Sequence, residues 1–266
     1  MQRLARFAAR SATEVGRWLA AERARRRSLG ARAKAVGDPV TDLDVAGEEL
    51  LRARILRRWP GHGFVGEETG THEPGRAHVW IVDPIDGTAN FAAGLSPWGV
   101  SVACLRDGLP VAGAIYLSPE DVTVVAARRQ GTRIGRIRVA MPPRTRLDAG
   151  SIVGVQWFRG LCRVPFLSRL LASGARVRVF GSTVVQLCDV ARGRLDANVQ
   201  QQGRVWDIAA GALVVEEAGG AFTRWDGRPV FPCTPADFGA HHASVAAWPA
   251  LQRKIVRSLA LPVSRA

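Results

Sequence analysis

Apolar residues recur along this chain at two periods, and the switches between them mark its elements. Over residues 3–28, Leu4, Phe7, Ala8, Val15, Trp18 and Leu19 share one side of a 3.6-residue period, which predicts an amphipathic helix. Its cluster of arginines from Arg23 to Arg27 reads as a solvated end. Thr41 has the chemistry of an N-cap, with Asp42 and Asp44 in the first turn of a helix running to about Trp59; Leu43, Leu50, Leu51, Ile55 and Trp59 form its apolar side. Residues 79–82 are a continuous apolar run, the mark of a short buried strand that ends at Asp83. Residues 98–105 and 109–117 pair around an Asp107-Gly108 turn, and 122–127 make a third strand. A hairpin is expected at 130–136.

Pro142-Pro143 predicts a junction inside a single 1–266 domain, between subdomains of roughly 1–142 and 143–266. Beyond it the pattern gives a strand at 151–155, a helix at 166–172 and a strand at 176–180. A helix opened by Gly181-Ser182-Thr183 runs to Ala191, and a strand follows at 193–197. An Ala-rich helix opens at Asp207 and stops near Gly219-Gly220. Strands at 222–224 and 243–247 and a helix at 251–259 complete the chain.

The acids stand where these elements begin and end. Gly66-Glu67-Glu68 closes a short strand. Neighbours on a strand face opposite sides, so the two glutamates need not share a role. Asp83 leaves its strand extended, because Pro84 disfavours the helical region before it. Asp86 follows around a turn, Gly87 lets backbone approach a ligand, and Thr88 opens a helix whose free amides suit an anion. The stretch thus offers carboxylates for a hard cation and amides for a phosphate. Taken alone, each acid also reads as a capping residue. His62, His72 and His78 lack ligand spacing and read as loop or surface residues.

Three segments carry a resemblance. Asp83-Pro84-Ile85-Asp86-Gly87-Thr88, Gly66-Glu67-Glu68 and Trp206-Asp207-Ile208-Ala209-Ala210-Gly211 resemble, in order and spacing, the motifs of the inositol monophosphatase family of magnesium-dependent, lithium-sensitive phosphatases. The similarity runs from about Lys34 to about Gly220. It implies an α/β (α+β) fold, a layered αβαβα sandwich of the sugar-phosphatase type. An antiparallel sheet is expected in the first half and a mixed sheet in the second.

The resemblance implies two or three Mg2+ ions per site. Glu67, Asp83 and the Ile85 carbonyl would hold one, and Asp83, Asp86 and Asp207 a second. Glu67 and Thr88, with Asp44 behind, would orient the attacking water, making these three the catalytic residues. Asp86, Gly87, Thr88, Gly181, Ser182, Gln200 and Asp207 would contact phosphate or substrate. Lys34, Asp38 and Glu68 would support them from behind. The family has a glutamate where this chain has Gln200, seven residues before Asp207; an amide still bonds hydroxyls.

The implied activity is hydrolysis of a small phosphorylated alcohol, inositol monophosphate or a similar polyol or sugar phosphate. Histidinol phosphate, fructose 1,6-bisphosphate and 3′-phosphoadenosine 5′-phosphate are alternatives. So is a basic RNA- or protein-binding regulator that retains the fold; a metal-dependent nuclease is a weaker one.

Composition changes this picture little. The net charge is +14 over 266 residues, and only Lys34 and Lys254 among the cations are lysines. A basic surface can steer anions, yet no aromatic-basic interleaving points to nucleic acid as the partner. No apolar run reaches the ~20 residues of a membrane span, and no signal segment is evident. Four scattered cysteines exclude a zinc spacing and read as reduced core thiols of a cytoplasmic protein. The expected partner is the phosphorylated substrate, with a homodimer as the family habit.

Overall fold

The structure is a computed structural model. It describes residues 1–26, 32–35, 38–156 and 165–260, with 32–35, 38–40, 165 and 260 in backbone only. Helix α1 (Gln2–Arg25) is followed by a hairpin of β1 (Arg32–Ala35) and β2 (Asp38–Val40), then by α2 (Asp42–Arg58). Strands β3 (Gly63–Gly66), β4 (Thr71–His72) and β5 (His78–Asp86) lead to the short α3 (Thr88–Ala93). Five more strands follow: β6 (Trp98–Arg106), β7 (Leu109–Ser118), β8 (Val122–Ala127), β9 (Gly131–Ile134) and β10 (Ile137–Val139). Together β3 to β10 form an eight-stranded sheet in the order β10-β9-β8-β7-β6-β5-β3-β4.

The second half contributes β11 (Ile152–Val155), α4 (Pro165–Ala172), β12 (Arg176–Arg178), α5 (Thr183–Ala191), β13 (Ala197–Gly203), α6 (Val205–Glu217), β14 (Ala221–Arg224), β15 (His242–Ala247) and α7 (Pro249–Ala260). Its strands form a five-stranded sheet, β12-β11-β13-β15-β14.

The period-2 alternation of the strands sorts side chains between layers. On β5, Trp80 and Val82 pack with Leu19 of α1 and Leu51 of α2. Val79 and Ile81 face the other way, toward Leu187 of α5 and Leu213 of α6. Beyond α5 and α6 lies the second sheet. Its outer face packs Val153, Val199 and Val245 against Leu170 of α4 and Leu251 of α7. The layers therefore run helix, sheet, helix, sheet, helix, as expected. Residues Leu4, Ala8, Val15 and Leu19 of α1 are buried, so its apolar face is also as read.

Several boundaries differ from the sequence reading, each for a tertiary reason. Helix α1 stops at Arg25, which is exposed as a solvated end would be, but its neighbours Arg23 and Arg26 are tied down, and Arg27 lies outside the described residues. Arg23 donates to the carbonyls of Phe91 and Ala92 at the end of α3, and Arg26 pairs with Asp42 at 2.6 Å. The first sheet is not wholly antiparallel, since β3 runs parallel to β5. Strand β13 covers 197–203 rather than 193–197, because it is set by pairing with β11 and β15 and not by local pattern. The hairpin expected at 130–136 runs over 131–139, with β9 and β10 paired on either side of a two-residue turn.

The histidines are not simply surface residues. Trp59, His62 and His78 stack face to face at 5.1 and 4.7 Å, and Trp80 donates its indole N–H to His62 Nδ1. Cys104, Cys188 and Cys233 are free, buried thiols; Cys162 lies outside the described residues.

Candidate active site

Strand β5 does not end at Val82. It continues through Pro84 to Asp86, and there its pairing with β6 slips. Asp83 lies opposite Ser101 and Asp86 opposite Gly99, so three steps on β5 match two on β6. The extra residue is a β-bulge, a place where a proline without an N–H is tolerated. Residues three apart on a regular strand face opposite sides; the bulge turns Asp86 to the same side as Asp83, toward the layer of α5 and α6.

Asp86 meets that layer directly. Its Oδ2 accepts from the Ser182 hydroxyl at 2.5 Å and from the Val184 N–H at 2.8 Å, where Ser182 is the N-cap of α5. Asp207 sits in the first turn of α6, with its Oδ2 accepting from the Arg204 N–H at 2.8 Å. The start of α6 is tied to β6 as Ser101 donates to the Trp206 carbonyl at 3.0 Å. Asp207 thus approaches β5 from the middle layer.

Glu67 follows the end of β3. The turn that carries it is gripped by Glu48 of α2, which accepts from the Glu68 N–H, the Thr69 N–H and the Thr69 hydroxyl at 2.6–2.8 Å. Gly66 makes this possible, because a Cβ there would strike the Glu48 carboxylate. The sequence reading missed Glu48. Its signal is an acid inside the buried stripe Asp44, Glu48, Leu51 and Ile55, where an aliphatic residue is expected.

One carboxylate oxygen each from Glu67, Asp83 and Asp207 lies within 4.8 Å of the other two. Asp86 is not in that trio, though its charge acts on Asp83 and Asp207. Burial pushes the Asp83 carboxyl well above the ordinary carboxylate range, with Glu67, Asp86 and Asp207 adding to the effect. Asp207 is raised well above it too, by enclosure first and then by Asp86 and Glu67. Asp86 is raised to about 7 by burial, against the lowering pull of Ser182 and Val184. Buried carboxylates that crowd one another hold protons until a cation replaces them.

Asp44 does two things at once. Its Oδ2 caps α2, accepting from the Thr41 N–H at 2.8 Å and the Thr41 hydroxyl at 2.5 Å. Its Oδ1 accepts from the Thr88 hydroxyl at 2.9 Å. Asp44 therefore caps α2 and holds the Thr88 hydroxyl at the same time. The Thr88 hydroxyl also lies 2.9 Å from the Ile85 carbonyl, so one proton serves two acceptors. Gly87 precedes Thr88 with φ +100°, in the left-handed region.

Gln200 does not join the acids. It is buried on β13 and donates from Nε2 to the Ser244 hydroxyl at 2.9 Å. Glu68 lends its N–H to Glu48. Lys34 and Asp38 lie on the β1–β2 hairpin with their side chains outside the described residues.

The donor set is all oxygen, with neither thiolate nor imidazole, and suits a hard divalent cation of the magnesium, manganese or calcium kind. Crowded carboxylates at the ends of β3 and β5 and the start of α6, beside a hydroxyl bonded to a buried aspartate, define a cation-dependent hydrolase.

The sequence model of the inositol monophosphatase family matches residues 1–261. An inositol-1-monophosphatase of Mesorhizobium japonicum is 32% identical over 267 residues, 96% of this chain and 95% of that protein. The Nus factor SuhB of Pasteurella multocida is 32% identical over 233 residues, 85% of this chain and 87% of that one. A histidinol-phosphatase of Mycobacterium tuberculosis is 37% identical over 199 residues, 71% and 75% of the two chains. The crystal structure of the extragenic suppressor protein suhB from Bartonella henselae superposes with a TM-score of 0.85 at 28% identity, covering 94% of this chain and 96% of that one. The chain belongs to the inositol monophosphatase family, and it is a phosphoric monoester hydrolase.

Proposed function

We propose that the protein releases phosphate from a small phosphorylated polyol or sugar, with inositol monophosphate at the head of the class, and that the cation is magnesium, two or three ions per site. The observation that carries this reading is the meeting of Glu67, Asp83 and Asp207 from three remote segments. Asp86 and the Ile85 carbonyl are the further oxygen ligands in this reading. Magnesium held there supplies positive charge to the phosphoryl oxygens and to the departing alkoxide.

The chain's own residues do the rest. Thr88, with its hydrogen directed to Asp44, presents a lone pair that accepts from the attacking water. Glu67 accepts the water's other hydrogen, and the two contacts fix its line of approach. The water oxygen bonds to phosphorus as one of its protons passes to Glu67, the P–O bond to the alcohol breaks, the alkoxide takes a proton from a second water, and the proton on Glu67 returns to solvent. Gly87 and Thr88 bind the phosphate, while Gly181, Ser182 and Gln200 face the alcohol. The family resemblance assigns a supporting role to Lys34, Asp38 and Glu68.

Some relatives carry the name Nus factor SuhB rather than a phosphatase name, and the charge is strongly basic, so a regulatory RNA- or protein-binding role is the second reading. The complete acid set supports catalysis, since a binding module has no use for crowded carboxylates. A phosphate-release screen over inositol, sugar, amino-alcohol and nucleotide phosphates, with magnesium and with chelator, tests both. Release that needs magnesium and favours a polyol phosphate upholds the first. No release from any monoester, together with salt-sensitive RNA binding, upholds the second.

Family membership supports a homodimer, which light scattering would test. Buried free thiols support a reducing, cytoplasmic location. No helix among the described residues is long and apolar enough to cross a membrane.

A further inference from the structure

The loop between β12 and α5 carries Gly181 and Ser182 and belongs to the second half of the chain. It is held by the first half at two points. One is Asp86, which takes the Ser182 hydroxyl and the Val184 N–H. The other is Asn90, on α3, whose Nδ2 lies 2.7 Å from the Phe180 carbonyl and 2.8 Å from the Pro97 carbonyl. Both neighbours are acceptors only, so the amide nitrogen must face them, and both of its hydrogens are used. Nothing in the proposed chemistry uses Asn90.

The contact is close as well as bonded. Gly181 has φ +75°, and a Cβ built on it would lie 3.1–3.5 Å from the nitrogen, oxygen and carbon of the Asn90 amide. The amide therefore lies against the Gly181 backbone. A Cβ on Gly87 would in turn be 3.2 Å from the Gly181 carbonyl, the Pro97 carbonyl and Ser182 Cβ. The loop that begins α3 and the loop that begins α5 thus touch through backbone, with Asn90 bonded to both sides of the seam. Grip at Phe180 and at Ser182 leaves Gly181 suspended between two fixed points.

We propose that Asn90 is a positioning residue that sets the Gly181-Ser182 loop against the phosphate-binding turn, and thereby sets the enzyme's preference for its alcohol. The proposal rests on the reading above that this loop faces the alcohol. Both hydrogen bonds donated by Asn90 go to the Pro97 and Phe180 carbonyls and neither goes to the acid trio. Removing Asn90 should loosen the alcohol side and spare the reacting atoms.

Asn90→Asp keeps the shape, removes both donated hydrogen bonds and sets a carboxylate against two carbonyls. Asn90→Ser removes the amide without adding charge, and keeps the test valid should the aspartate variant fold poorly. Two measurements are needed on the full chain. Hydrogen–deuterium exchange should show amides of residues 178–185 exchanging at least ~10-fold faster in either variant, with the eight-stranded sheet unchanged. Steady-state kinetics should show KM for the preferred phosphorylated polyol raised ~10-fold with kcat within threefold. Hydrolysis of p-nitrophenyl phosphate, which has no polyol to recognise, should be nearly unchanged.

Exchange at 178–185 that stays as in the parent, or rises equally through the whole chain, overturns the role of Asn90. A loosened loop with unchanged KM keeps Asn90 as the clamp but removes alcohol recognition from that loop. In that case the preference part of the proposal falls, and the assignment of Gly181 and Ser182 to the substrate falls with it.

Discussion

Strand β5 has two ends, and they are built on opposite principles. At its start, His78 stacks on His62, His62 on Trp59, and Trp80 donates to His62 Nδ1. Most of these groups have partners, and the stack costs nothing in charge, because burial and then His78 hold His62 below the usual imidazole value. At its other end, Asp83 and Asp86 share a bulge with Glu67 and Asp207 close by. One backbone N–H, from Ile85 at 2.9 Å, lowers Asp83 against burial and three like charges that raise it. The first end spends contacts on stability. The second keeps repulsion that bound protons or a cation must relieve, and this is how a site differs from a core.

The sharpest test removes one charge from the crowded end. Asp83→Asn should lower kcat/KM by about 10³-fold or more, the scale on which losing one charge-stabilising group acts. In chelator the variant should melt at the same temperature as the parent or higher, because a neutral amide ends the repulsion. Phosphate release and calorimetry on one preparation measure both. A variant that loses activity and also unfolds would place Asp83 among the structural acids, and the contrast between the two ends would fail.

The same contrast predicts an unusual dependence on pH. Asp86 has its folded value raised to about 7 from 3.8. Between those values the folded chain binds more protons than the unfolded one, so the stability this group lends is present below about pH 4 and lost as pH rises toward 7. Asp83 and Asp207 act in the same direction. In chelator, unfolding by urea should therefore become easier as pH rises through this window. Added magnesium should raise stability more at pH 8 than at pH 5, since at pH 5 it must displace protons. A metal-free protein that gains stability steadily from pH 4 to 7 would contradict the shifted carboxyls.

How much of this could be read from residues alone follows from how local each feature is. The motifs at 66–68, 83–88 and 206–211 are contiguous, and so are the amphipathic helix α1 and the strands around Asp107-Gly108. All were legible, and with them the layered fold. The bulge was not. Pro84 signals a turn to any local rule, yet the backbone keeps pairing with β6 because Gly99 and Ser101 supply the register. Glu48 was hidden because its partners are amides 20 residues away. Asn90 was hidden because an asparagine one turn into a helix has no local signature. The packing of His62 and His78 was hidden because their stack joins residues 59, 62 and 78, a spacing that no local pattern marks. In each case the missing information was a long-range contact.

Glu48 sharpens the comparison from within the site. It is as buried as Asp83, but it accepts three hydrogen bonds from the Glu68-Thr69 turn and belongs to the satisfied kind. Glu48→Ala should cost about 3 kcal/mol in unfolding free energy, by leaving buried donors without acceptors. Activity should fall about 10- to 100-fold, as Glu67 loses the turn that aims it, the usual scale for a group that orients a ligand residue. Chemical denaturation and kinetics would show both losses together, unlike the Asp83 pattern of lost activity with retained stability. If Glu48→Ala kept full activity, Glu67 would be aimed by some other contact.

The smallest effect is expected at the far end. His78→Ala removes one ring of the stack and should cost about 1 kcal/mol, the scale of an aromatic pair. Its effect on kcat/KM should stay within twofold. Five steps along β5 separate His78 from Asp83, about 16 Å of extended chain. Between them Val79, Trp80, Ile81 and Val82 are buried on both faces of the sheet. Such a strand is held by its neighbours at every residue, so a cavity at one end is absorbed locally and does not move the other. Trp80 also keeps its bond to His62 in this variant. If His78→Ala instead lowered kcat/KM tenfold at unchanged stability, β5 would behave as a lever joining its ends, and the division of labour between them would have to be withdrawn.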